Sequence, residues 1–384
     1  MGFAGYRRPD GRFGTRNHVL VISSVSCANG VVAALGRALP EIKPILHSEG
    51  CGRGPQDMAR IGRTLIGLGK NPNAAAVLVI GLGCEFTKPD FLANEIAESG
   101  KPVEHLLIQE EGGSRKTVTR AMPIARRLVR EAARVEREEC GWDGLVVGLE
   151  CGGSDALSGR TANPAVGRFA DWLVEQGGTV ILSETTEMIG TEDILVRQAA
   201  TPEIGERVRK LITDQQQLAE QVLGPLAAMA ISPGNQEGGL SSLEEKARGC
   251  VVKAGSSPIR EVLDYAEAPG ERGLVLMDTP GSDIFSLTGM AAGGAQLMIF
   301  TTGRGTPAGF PGVPVIKVSS NTELFERMRD DMDLDAGPIA SGGSVEQVGQ
   351  ELIDLTGRVA SGQETAAERN LQDILAIHTT GPAF

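Results

Sequence analysis

Aromatic side chains are scarce in this sequence, at 4% of 384 residues, whereas glycine is plentiful, at 51. That balance suits compact α/β packing with many tight loops. There is no excess of positive charge to grip a polyanion. The formal net charge is -12, and no basic patch rises above the background, which argues against nucleic acid as a partner. The Arg-rich stretch Arg126-Arg127-Leu128-Val129-Arg130-Glu131 is interleaved with acid and apolar residues and reads as the solvated face of a helix. No apolar run reaches the roughly 18 residues that span a bilayer, so no membrane partner is expected. The opening segment, Met1 to Arg8, lacks the apolar core of a signal peptide, which leaves the cytoplasm as the expected location. There the six cysteines stay reduced. No two of them form a Cys-x-x-Cys pair, which argues against a zinc finger or a redox-disulfide motif.

What the chain does contain is a repeated pattern of apolar runs ending in cysteine. Val77-Leu78-Val79-Ile80-Gly81-Leu82-Gly83-Cys84-Glu85 and Leu145-Val146-Val147-Gly148-Leu149-Glu150-Cys151-Gly152-Gly153-Ser154-Asp155 read almost alike. A short continuous apolar run broken by glycine marks a strand buried on both faces. In open α/β sheets, ligands sit beyond the carboxyl ends of such strands. Cys51, in the Gly-rich loop Glu49-Gly50-Cys51-Gly52-Arg53-Gly54, has a similar setting.

Strand-like runs at 18–25, 74–83, 144–150 and 179–183 alternate with helix-like segments at 57–69, 89–99, 118–139 and 163–176. The pattern resumes with runs near 273–278, 297–302 and 313–318. This alternation predicts an α/β fold of parallel-sheet βαβ domains with helices on both faces, in two successive domains. The turn-rich segment 231–240 is the expected boundary, dividing an N-terminal domain (1–230) that carries the cysteine loops from a C-terminal domain (241–384). Asn163-Pro164 reads as a helix start, and the last dozen residues are expected to pack poorly.

Three thiols at loop tips point to a metal centre at Cys51, Cys84 and Cys151, with one coordination position left open. The equally simple alternative is that each fills a tight Gly-rich turn. Cys140 and Cys250 read as buried packing residues. Gly152, Gly153, Ser154 and Asp155 crowd amides and a hydroxyl into one loop that could hold a carboxylate. Thr302 and Arg304 end another apolar run, where Arg304 could clamp an anion. Glu184 and Glu187 both follow a strand and reach the same crevice, so either could serve as a base if its pKa is raised. His47 stands four residues before Cys51.

Several segments together resemble the large catalytic region of the altronate and galactarate dehydratases. They are Gly5-Tyr6-Arg7-Arg8-Pro9-Asp10-Gly11-Arg12-Phe13-Gly14-Thr15-Arg16-Asn17, Gly81-Leu82-Gly83-Cys84-Glu85, Cys151-Gly152-Gly153-Ser154-Asp155, Ser158-Gly159-Arg160-Thr161-Ala162-Asn163-Pro164, Ser232-Pro233-Gly234-Asn235 and Thr301-Thr302-Gly303-Arg304-Gly305-Thr306-Pro307. The resemblance covers nearly the whole chain. It implies an iron-dependent hydro-lyase that converts a hydroxylated sugar acid to a 2-keto-3-deoxy acid, with Fe2+ or an iron–sulfur cluster at Cys51, Cys84 and Cys151. It also implies Glu187, Glu85 or His47 as base, and Asn163 among the substrate-binding residues. Family members of the sugar-acid type carry a small domain before the Gly-Tyr-Arg motif, here at residue 5, so a separate small subunit is the expected partner, together with a homo-oligomer. Alternatives are a (2R)-sulfolactate-type sulfo-lyase large subunit and a non-catalytic sugar-acid-binding subunit.

Overall fold

The computed structural model describes residues 2–224 and 232–384. Two parallel sheets organise the chain. The first has four strands: β3 (His18–Ser23), β4 (Ile42–Ile45), β5 (Ala74–Gly81) and β6 (Val103–Leu107), in the order β4-β3-β5-β6. A small antiparallel sheet joins β1 (Gly2–Arg7) to β2 (Phe13–Gly14) on one side and to β7 (Glu138–Gly141) on the other. The second parallel sheet has seven strands: β8 (Val146–Cys151), β9 (Thr179–Leu182), β10 (Ile259–Leu263), β11 (Gly273–Met277), β12 (Leu297–Thr302), β13 (Val315–Ser319) and β14 (Leu334–Asp335). Their order is β10-β11-β9-β8-β12-β13-β14. The expected α/β class with helices on both faces is present.

The division between the sheets does not fall at 231–240. Strands β8 and β9 lie before that segment and β10 to β14 after it, yet all seven pair in one sheet. The change of sheet comes between β6 and β8, near β7. Turn-forming composition there coincides with the short helix Pro233–Glu237, and a connection of this kind can equally join two strands of one sheet. Residues 225–231, which run up to and include the first residue of that segment, lie outside the described residues.

Alternation along β8 explains how each face is covered. Val147 and Leu149 enter the core under the helix Ala162–Glu175. Gly148 points the other way, where an added Cβ would stand 2.6 Å from the Met290 sulfur on the helix Asp283–Ala292. That second face shares one apolar core with the first sheet. Leu20, Ile22, Val77 and Val79 pack in the same cluster as Val275, Met290, Met298 and Phe300. The helices Pro55–Lys70 and Asp283–Ala292 thus form a middle layer common to both sheets.

Polar side chains bolt the sheets together at their N-terminal ends. Asn73 is buried; its carbonyl oxygen accepts from the Thr15 amide at 2.8 Å, and its amide donates to the Gln296 and Gly312 carbonyls at 2.9 and 3.1 Å. Asn73→Ala would orphan these groups, and each unsatisfied buried group costs about 1–3 kcal/mol. We expect a loss on the order of 3 kcal/mol, read as a lower midpoint of urea unfolding.

The final segment is better packed than its composition suggested. Ile377 is buried, and Asp57 accepts from the amides of Thr380 and Gly381 at 2.9 and 2.7 Å. Here a helix-start carboxylate supplies the order that local sequence did not signal.

Candidate functional site

The chain leaves β8 toward β9 and leaves the neighbouring β12 toward β13, in opposite directions across the sheet. This is the switch point at which open α/β sheets bind ligands. A cavity of about 270 Å³ lies there, lined by Ser154, Asp155, Arg160, Asn163, Lys246 and Gly249 among others.

Asp155 organises its floor. Its Oδ1 accepts from the Ser158 hydroxyl at 2.7 Å, the Ser158 amide at 2.8 Å and the Ser320 hydroxyl at 2.8 Å. Its Oδ2 accepts from Asn321 at 2.9 Å. With so many donors converging on it, Asp155 is the acceptor around which the loop is built. Gly152 and Gly153 are required by crowding: a Cβ on Gly152 would lie 2.5 Å from Asp283 Oδ2, and Gly153 has φ +56 with Arg304 Cβ 3.0 Å from an added Cβ. Asn163 sits inside its helix, one residue past the first, instead of starting it. It accepts from the Thr301 hydroxyl and donates to the Gly249 carbonyl, both at 2.7 Å. Thr302 accepts from the amides of Gly305 and Thr306, and Arg304 pairs with Glu237 at the surface.

Behind this cavity lies a buried cluster of charge. The Cys151 amide donates to Glu184 at 2.9 Å, and the Cys151 and Cys250 sulfurs are 3.1 Å apart. The Lys253 ammonium is 3.1 Å from each sulfur and pairs with Glu184. Burial alone would lower the Lys253 pKa, but Cys151, Cys250 and Glu184 outweigh it and hold the amine charged. Glu184 carries φ 69, a left-handed conformation that non-glycine residues adopt at a cost and that recurs at functional sites. Its carboxylate belongs to two groups of possible metal donors, one with Cys151 and Cys250, the other with Glu150 and Asp283.

The second group is short of positive charge. Glu150 is fully buried, and burial together with Glu184 and Asp283 drives its pKa well up. One of its oxygens, Oε1, has no hydrogen-bond partner. Burial and Glu184 raise Asp283 to about 6. Lys317 is buried nearby with no hydrogen-bond partner, its Nζ 3.3 Å from the centre of the Phe300 ring. Burial lowers its pKa to about 7. Below pH 7 the amine is charged in folded and unfolded chains alike, and the full desolvation penalty is present. Between about 7 and 10.5 the unfolded chain holds the extra proton, so stability rises with pH. Lys317→Met is therefore expected to stabilise the fold at pH 6 by on the order of 1–3 kcal/mol. The gain should shrink above pH 7 in urea titrations.

Not every residue singled out in the sequence reaches this place. Glu187 does: it pairs with Lys246 at 2.8 Å beside the cavity, and burial raises its pKa against the pull of that lysine. Cys151 is in the cluster, but its sulfur partner is Cys250, taken from sequence as a packing residue. Among the described residues, no group of possible metal donors unites Cys151 with Cys51 or Cys84, which are exposed on loops after β4 and β5 of the other sheet. Like apolar runs gave them like strand-end positions, but on different sheets. His47 also belongs to the first sheet: its Nε2 meets the Ser23 carbonyl at 2.8 Å and its Nδ1 accepts from the Glu49 amide. Both ring nitrogens are thus engaged in holding loops together. Burial pushes Glu85 up, but the Ser24 hydroxyl and the amides of Gly83 and Leu82 outweigh it, so the carboxyl sits below its usual value. That suits a fixed anion and opposes a base. Cys250 and Lys253, three residues apart on consecutive helical turns, carried no motif of their own.

A polar cavity at a switch point, backed by buried acids and amines, places a small-molecule site on an α/β fold. Comparison with known proteins narrows the class. Residues 142–383 match the family model "D-galactarate/Altronate dehydratase, C-terminal", and residues 5–133 match "D-galactarate dehydratase/Altronate hydrolase, second domain". The chain is 38% identical to altronate dehydratase of Bacillus subtilis over 99% of its own length and 78% of the relative's. It is 37% identical to the L-threo-forming galactarate dehydratase of Escherichia coli, over 99% and 77%. It is also 35% identical to the (2R)-sulfolactate sulfo-lyase subunit beta of Chromohalobacter salexigens, over 95% and 94%. The chain belongs to the D-galactarate and altronate dehydratase family and is a carbon–oxygen lyase.

Proposed function

We propose that the protein removes water from a hydroxylated sugar acid such as altronate or galactarate, giving a 2-keto-3-deoxy acid. The observation that carries this reading is the cavity at the β8–β12 switch point, walled by Lys246 with its partner Glu187 and floored by the Asp155 loop. A proton α to a carboxylate is weakly acidic, so elimination needs a base, stabilisation of the developing charge, and help for hydroxide as leaving group. Glu187 is the base: burial raises its pKa, and Lys246 holds it in place. Lys246 and Arg160 face the substrate carboxylate, with the polar loop Ser154–Ser158 around it. Loss of water leaves an enol that ketonises.

Iron, when bound, supplies Lewis-acid assistance to the departing hydroxide. The residues that fit it best are Glu150, Glu184 and Asp283: three carboxylates in mutual reach, with a buried oxygen of Glu150 unpartnered. The thiol group fits less well, because the Lys253 ammonium already supplies the cation there.

We also propose a separately encoded small subunit. Its support is that a relative named as a subunit is 35% identical to the chain, over 95% of the chain and 94% of that relative. A homo-oligomer in the cytoplasm completes the picture, the latter in keeping with six free cysteines. The test is anaerobic, iron-supplied assay of altronate and galactarate with detection of the 2-keto product. Glu187→Gln should lower kcat on the order of 10²–10⁴-fold. No turnover of either acid by wild-type protein, with sulfite released from sulfolactate instead, would shift the assignment to the sulfo-lyase branch.

A further inference from the structure

Cys151 and Cys250 are 99 residues apart in sequence, yet their sulfurs stand 3.1 Å from each other. Cys151 ends β8, and Cys250 lies near the end of the helix Leu243–Val251. A closure of about 1 Å would bring the sulfurs to the length of a disulfide bond. The Lys253 ammonium lies 3.1 Å from each sulfur, although Cys250, burial and Glu184 together push the Cys151 thiol well up. Both cysteines are buried, but the cavity comes close to one of them. Lys246 and Gly249, on the same helix, line the open cavity, and Cys250 follows Gly249 directly.

The other cysteines are placed differently. Cys27, Cys51 and Cys84 are exposed, and Cys140 is buried with its thiol donating to the Phe3 carbonyl. Among the described residues, none of these four has a second sulfur within hydrogen-bond reach.

We propose that Cys151 and Cys250 form an oxidation site that closes to a disulfide in response to hydrogen peroxide. One thiolate attacks a peroxide oxygen; the O–O bond breaks, water departs and a sulfenic acid forms. The second thiol attacks that sulfur; the S–O bond breaks, a second water departs and the S–S bond forms. Two sulfurs each give one electron, and the peroxide is reduced to two waters. The bond joins the end of β8 to the cavity helix.

The experiment treats the full chain with hydrogen peroxide, blocks remaining thiols and maps peptides without reduction. A linked Cys151–Cys250 peptide that dithiothreitol reverses is the expected result. In Cys250→Ser, that peptide should vanish and Cys151 should be trapped by dimedone as a sulfenic acid. The proposal is overturned if both cysteines stay reduced while Cys27, Cys51 and Cys84 oxidise, or if Cys151 and Cys250 pair only with other cysteines. Neither readout depends on turnover, so it stands apart from the substrate assignment.

Discussion

Glu184→Gln is expected to lower kcat on the order of 10³-fold or more with the fold retained. The amide is nearly the same size as the carboxylate, but it carries no charge. Glu184 is common to both groups of possible metal donors, it accepts from the Cys151 amide, and it pairs with Lys253. Neutralising it alters the field on every one of these partners at once. Iron content measured after anaerobic loading should fall with activity if the carboxylate group holds the metal. A variant within tenfold of wild-type activity and with undiminished iron would remove Glu184 from the centre of the site. Circular dichroism and urea unfolding establish that the comparison is between folded proteins.

The second large effect is on stability. Lys253→Met should destabilise the chain by about 3–5 kcal/mol, because removing one partner of a buried ion pair strands the other. Lys253 is fully buried, and among the described residues its ammonium meets Glu184 and two sulfurs. Its folded pKa is raised above 10.5 by those neighbours. The stabilisation is therefore fully present below that value and is lost only as pH rises through the folded pKa. Urea midpoints for Lys253→Met should stay low from pH 6 to pH 9. Lys317→Met should move the other way, since that amine lacks a hydrogen-bond partner and its pKa is lowered. Two buried lysines thus give opposite signs, decided by what each one touches. If both variants shifted stability in the same direction, the electrostatic account of the cluster would fail.

The apolar runs ending at Gly81 and Cys151 were legible as strands because a strand buried on both faces leaves a continuous hydrophobic signature. The short β4 and β10 were not, since Ile42–Ile45 contains Lys43 and Pro44, and Ile259–Leu263 contains Arg260 and Glu261. The sheet boundary was misplaced because strand order is a long-range property that turn residues do not encode. In the site, the Gly152–Asp155 loop and Glu187 could be found from their position after strands. Cys250 and Lys253 could not, because their meaning depends on a helix arriving about 100 residues later beside the end of β8. Equal strand-end motifs also misled: Cys84 and Cys151 are alike locally and belong to separate sheets.

The Asp57 cap has a consequence for synthesis. Asp57 opens the helix of the first parallel sheet, yet its amide partners at Thr380 and Gly381 lie 323 and 324 residues downstream. On the ribosome, the first sheet emerges with this carboxylate still solvated and with the apolar face of its helix bare, awaiting the core it shares with the second sheet. Contacts of such sequence separation form late. The apolar face that the first sheet shares with the second therefore has no core to join until the second sheet has been made.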